Sequence, residues 1–113
     1  MPRPSHLSAS PPYAVEETIK RLGANLRTAR LRRNLTMSDL ASKIGIDRHI
    51  VGDAESGKLT TSVAVYAGML WAMDLLNHMD AVADPRADSE GLTLAKDGER
   101  ERARSGGGLS DDF

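Results

Sequence analysis

Arg48, His49, Gly52 and Asp53 have the spacing that puts four residues on one face of a helix, and they are the part of the chain best suited to reading another molecule. An arginine can bond guanine O6 and N7 together, and an imidazole can donate or accept at a base edge or bond a phosphate. These four are the candidate base contacts. Arg33, Thr36, Lys43 and Lys58 lie around them in sequence and are expected to meet phosphate, which adds affinity without sequence information. Asp53 is expected to oppose them, since a carboxylate facing phosphates disfavours binding at any sequence.

Such a set is useful only if two helices hold it. Thr36, followed three residues later by Asp39, is a capping-box start. Leu40, Ala41 and Ile44 then recur on one face, and Gly45 stops the helix where a left-handed residue is wanted. Asp47 can cap a second short helix with Val51 and Ala54 facing inward. Ala41 is small, as a steep helix crossing requires. The segment 36–58 therefore reads as a helix-turn-helix. Glu55 is expected to tie the turn at Gly57 locally.

Leu40-Ala41, Gly45, Val51 and Glu55-x-Gly57-Lys58 resemble the lambda-repressor/Cro-like (XRE) helix-turn-helix family over roughly residues 19–75. The resemblance implies an all-α bundle of about five helices whose second motif helix lies in the major groove of double-stranded DNA. It also implies a homodimer reading two half-sites roughly 34–36 Å apart, hence a palindromic operator. Two positions depart from the family pattern. Met37 stands where glutamine is usual, and Asp53 where a basic or polar residue is usual.

At 113 residues the chain has room for one domain. It is expected to divide into a flexible arm (1–14), a DNA-binding and dimerisation domain (15–83) and a flexible tail (84–113). There is no cysteine, so neither disulfides nor thiolate ligands contribute. No apolar run is long enough to span a membrane and the N-terminus lacks a hydrophobic signal core, so a cytoplasmic location is expected. The formal charge of −1 hides an asymmetry: residues 15–60 carry nine basic and six acidic groups, residues 61–95 one basic and five acidic. A positive front and a negative back suit a protein that docks by one face.

Val15, Ile19, Leu22, Leu26 and Ala29 make an apolar stripe that predicts a helix over 15–33. Arg27, Arg30, Arg32 and Arg33 crowd its end, where cations favour the helix dipole or could meet phosphate. A further helix is predicted from Thr61 or Ser62 to about Asp74, buried through Val63, Tyr66, Met69, Leu70 and Met73. Residues 75–82 are ambiguous between a short helix and a strand. Trp71, Leu75, Leu76, Met79 and Val82 exceed what so small a core can cover and form the candidate dimer interface. The tail is expected to be disordered in the free protein, its mixed-charge stretch 96–104 being compatible with a nascent helix, with Leu92, Leu94 and Phe113 as its bulky anchors for a partner.

Other chemistry has weaker support. Residues 52–58 match the first positions of a phosphate-binding loop, but Leu59 stands where a magnesium-binding hydroxyl belongs and no strand precedes it. His6, His49 and His78 have no partners at ligand spacing, and no nucleophile elbow is present. Neither a cofactor nor an enzymatic activity is expected. The expected function is a DNA-binding transcriptional repressor. Its layout further resembles HipB-like antitoxins, which pair with a HipA-like kinase toxin and repress their own operon. The alternatives are a stand-alone regulator and a helix-turn-helix interaction module that does not bind DNA.

Overall fold

The computed structural model describes residues 6–104, and all regular structure in them is helical. The helices are α1 (His6–Ala9), α2 (Tyr13–Arg32), α3 (Met37–Ile44), α4 (Arg48–Ser56), α5 (Val63–Ala72) and α6 (Ser89–Arg104), with a 3-10 helix at Leu76–Ala81 between the last two. The chain divides into two compact units, one ending at Met79 and the other beginning at Asp80.

Local signals set the boundaries of α3 and α4. Thr36 Oγ1 accepts from the Asp39 amide at 3.0 Å, and Asp39 Oδ2 accepts from the Thr36 amide at 2.9 Å. The pair satisfies orphan donors at both positions, a full capping box. The Thr36 amide holds the Asp39 carboxyl below the ordinary carboxylate range. Gly45 ends α3 at φ 72°, where the Cβ of an L-residue would introduce strain, and Asp47 Oδ1 opens α4 by accepting from the His49 amide at 3.0 Å. Ser62 caps α5 in the same way, through Val65.

The core of the first unit is Leu26 from α2, Leu40 and Ala41 from α3, Val51 and Ala54 from α4, Tyr66, Met69 and Leu70 from α5, and Met73 just beyond it. α4 is the central element, packed on α2, α3 and α5. Gly23 allows its closest approach to α2: a Cβ there would stand 2.5 Å from the Ala54 carbonyl oxygen and 2.6 Å from that of Glu55.

Two charges sit in this interior. Arg30 Nε and Nη2 donate to the two carboxylate oxygens of Glu55 at 2.7 and 2.9 Å, with the side chains only 6 and 3% exposed. Arg30 Nη1 also donates to the Leu35 carbonyl at 2.9 Å. Hydrogen bonding to Glu55 holds the Arg30 guanidinium above its ordinary pKa. Glu55 is thus a cross-link between α4 and α2, not a local tie for the Gly57 turn. That turn is closed by the backbone, with the Lys58 amide donating to the Asp53 carbonyl at 3.0 Å.

Several boundaries and faces differ from the sequence expectation. α2 starts at Tyr13 and leaves Val15 exposed, and the expected arm contains α1. Val63 begins α5 and is 67% exposed, so it is not part of the buried stripe. The ambiguous stretch becomes a 3-10 helix. Residues 89–104, expected to be disordered, form α6, with the Gly91 amide capped by Asp88 Oδ1 at 3.0 Å. No residue of α6 is buried, as the polar composition leads one to expect.

The Arg30–Glu55 pair yields a stability prediction. Glu55→Ala strands a buried guanidinium and should cost about 3–5 kcal/mol in urea unfolding, whereas Arg30→Met combined with Glu55→Leu should cost less than that single change. A loss below about 1 kcal/mol for Glu55→Ala would show that the pair is solvated.

Candidate nucleic-acid interface

The inner face of α4 is fixed by Val51, Ala54 and Glu55, all buried, so its outer face is fixed as well. Arg48 and His49 are exposed on the first turn of that outer face, with Gly52 and Asp53 half-buried one turn later. The four expected base contacts therefore do share one face. Gly52 lies beneath α3, since a Cβ there would come to 3.8 Å from Met37 Sδ, an ordinary contact. Met37 is half-buried against the core and so acts as packing between the two helices.

The expected phosphate contacts are placed less uniformly. Arg33 is exposed, and its Nη1 donates to the Ala29 carbonyl at 3.0 Å. Thr36 is exposed, but its hydroxyl is already used by the capping box. Lys43 is exposed in the last turn of α3. Lys58 Nζ lies 3.4 Å from Asp53 Oδ2, so the lysine and the carboxylate that was expected to oppose binding partly neutralise each other. Side chains here are mostly in water, where such a pair contributes little stability but does set local charge.

Carboxylates around α4 are occupied in the same sense. Asp47 accepts from the His49 amide, and its Oδ1 is also 3.3 Å from His49 Nδ1. The amide first, and the ring second, hold the Asp47 carboxyl below the ordinary range. Among the described residues, the Arg48 side chain holds no ion pair. It lines a shallow open groove with Arg30, Leu31, Asn34, Leu35, Thr36, Met37 and Ser38. A planar, donor-only guanidinium without a salt-bridge partner at the start of a rigidly seated helix can reach a flat acceptor pair.

The expected dimer residues divide. Trp71 is 60% exposed, and Leu76 is exposed too. Leu75 and Met79 instead pack against the core. Val82 is exposed and belongs to the second unit. In the expected partner-binding tail, Leu92 and Leu94 are exposed on α6, and Phe113 lies outside the described residues. No group of acidic, histidine or cysteine side chains among the described residues could hold a metal ion, and no helix among them is long and apolar enough to cross a membrane.

Sequence reasoning missed the pairing of Arg30 with Glu55 and the close approach at Gly23. Arg30 sits four residues after Leu26, and Glu55 four after Val51, so both charges continue apolar stripes. Two opposite charges doing so on different helices is the signal that could have paired them.

No family model, curated protein or solved structure matches the chain.

The Asp53–Lys58 contact makes a prediction about any polyanion. Asp53→Asn removes a repelled charge and frees Lys58, so binding to random duplex DNA should tighten and its log–log salt dependence should steepen by about 0.9, one phosphate. Fluorescence anisotropy across a salt series would measure both. Weaker binding by the variant would mean that the carboxylate itself accepts a bond in the complex.

Proposed function

We propose that the chain is a sequence-specific repressor that binds double-stranded DNA in the manner of the lambda-repressor/Cro-like helix-turn-helix proteins, with α3 and α4 as the motif and α4 as the recognition helix. The observation that carries this reading is the presentation of Arg48 and His49 on the exposed first turn of a helix whose other face is locked by Val51, Ala54 and the Glu55–Arg30 pair. In this geometry the N-terminal residues of the second helix contact base edges. Repression then needs no chemistry, only occupation of an operator.

Two copies would read a palindrome, because a two-fold dimer presents the same helix to each half-site. Support for self-association comes from α5, whose sequence VAVYAGMLWA has no charged residue and is apolar on both sides. A helix that is hydrophobic all round is ordinarily covered all round, yet Val63 and Trp71 are largely exposed. In the autoregulating antitoxin form of this function, α6 and the residues beyond it are the arm offered to a HipA-like kinase toxin. A 16-residue helix that buries none of its residues, with Leu92 and Leu94 exposed, supports that form.

A second reading, an interaction module that does not bind DNA, draws on Asp53, on Met37 and on the net charge of −1. Selection from a randomised duplex library separates the two, since only a DNA reader enriches a sequence. On the enriched operator Arg48→Ala should cost about 1–3 kcal/mol and relax preference at one position per half-site. An equal loss on operator and random DNA would make Arg48 a phosphate contact. Separately, replacing Trp71 and Leu76 by Asp should yield a monomer in sedimentation. A wild-type chain that is monomeric at micromolar concentration would overturn the dimer.

A further inference from the structure

Resting on that DNA-binding reading, we propose that Asp47 is a positioning residue that sets the hydrogen-bond polarity of His49, so that His49 reads the exocyclic amine of cytosine or adenine. One oxygen, Asp47 Oδ1, accepts from the His49 amide at 3.0 Å and lies 3.3 Å from His49 Nδ1. An ionised carboxylate has no hydrogen to give, so Nδ1 must carry the proton of that contact. The same two bonds hold Asp47 in its ionised form. With Nδ1 protonated, a neutral imidazole has its bare lone pair on Nε2, on the opposite edge of a ring that is 82% exposed.

The direction of that lone pair decides which bases fit. In the major groove the hydrogen-bond donors are cytosine N4 and adenine N6, while guanine O6 and N7 and thymine O4 only accept. An acceptor at Nε2 therefore selects an amine and rejects an edge made of acceptors alone. Arg48, the preceding residue, is donor-only and has the opposite preference, for guanine. Adjacent residues of opposite polarity predict a half-site with a guanine close to an amine-bearing base. The neighbouring charges are Arg48 and, one turn along, Asp53 with its partner Lys58 at 3.4 Å. Among the described residues, only Asp47 has a hydrogen bond to the ring.

The test uses the full chain in two measurements at pH 8, above the ordinary histidine pKa of about 6.5. Imidazole nitrogen-15 shifts of the free protein report the tautomer, and selection from a randomised duplex library reports base preference. Wild type should show His49 protonated on Nδ1, with roughly 5- to 150-fold preference for cytosine or adenine at one position per half-site. Asp47→Ser keeps a helix-capping oxygen. It should move His49 toward the Nε2-protonated form and reduce that preference toward unity, while the guanine preference persists. His49→Ala should lose the same preference with the cap intact. Nε2 protonation in wild type, or unchanged enrichment by Asp47→Ser, would overturn the proposal. A wild-type chain with the Nδ1 proton in place that enriches no sequence would overturn base reading by His49 together with the DNA-binding reading, and the free-protein spectrum tells the two failures apart.

Discussion

The first unit depends on one buried ion pair. Arg30 and Glu55 join the end of α2 to the end of α4, and the third Arg30 bond, to the Leu35 carbonyl, fixes the chain where it enters α3. Dispersion and apolar burial are tolerant of small rotations, but a two-pronged guanidinium–carboxylate contact at 2.7 and 2.9 Å is not. Desolvating both ions consumes much of their mutual attraction, so the pair's main contribution is orientation and only secondarily stability. Gly23 completes the arrangement, since any side chain there would push α4 away from α2.

Rigid seating of the inner face is what gives the outer face meaning. Val51 and Ala54 leave α4 one rotation about its axis, and that rotation exposes Arg48 and His49 together. Around them, each nearby carboxylate has work of its own: Asp39 in the capping box, Asp47 at the start of α4, and Asp53 beside Lys58. Asp53 is partly neutralised by Lys58, whereas Asp39 and Asp47 stay ionised with their oxygens engaged by backbone amides. Among the described residues, Arg48 holds no ion pair on that face, and its charge acts on the neighbouring Asp47 carboxylate.

How much of this could be read in advance follows from the range of each interaction. Thr36 with Asp39, Gly45, and Asp47 act within a few residues, and the two helices they delimit, α3 and α4, were legible almost to the residue. Glu55 and Arg30 are 25 apart in sequence, so neither revealed its partner, and the local reading gave Glu55 the wrong one. The full extent of α6, beyond the nascent helix at 96–104, was missed for a different reason. Composition measures how much apolar surface a segment can bury, and α6 buries none, but its start is set by the Asp88 cap, which composition does not register. At the candidate interface the residue types were legible, whereas the Asp53–Lys58 and Asp47–His49 contacts depend on side-chain geometry that spacing alone does not give.

The central claim is that the face presenting Arg48 and His49 docks on duplex DNA, and salt dependence tests it most directly. Binding of the full chain to a random-sequence duplex should weaken steeply as salt rises from about 50 to about 200 mM. The log–log slope should fall between about −2.7 and −5.4, the range expected if Arg33, Lys43 and Lys58 of one copy or of two displace counterions at roughly 0.9 per phosphate. Absence of binding at the low-salt end, or binding that does not change with salt, would contradict it.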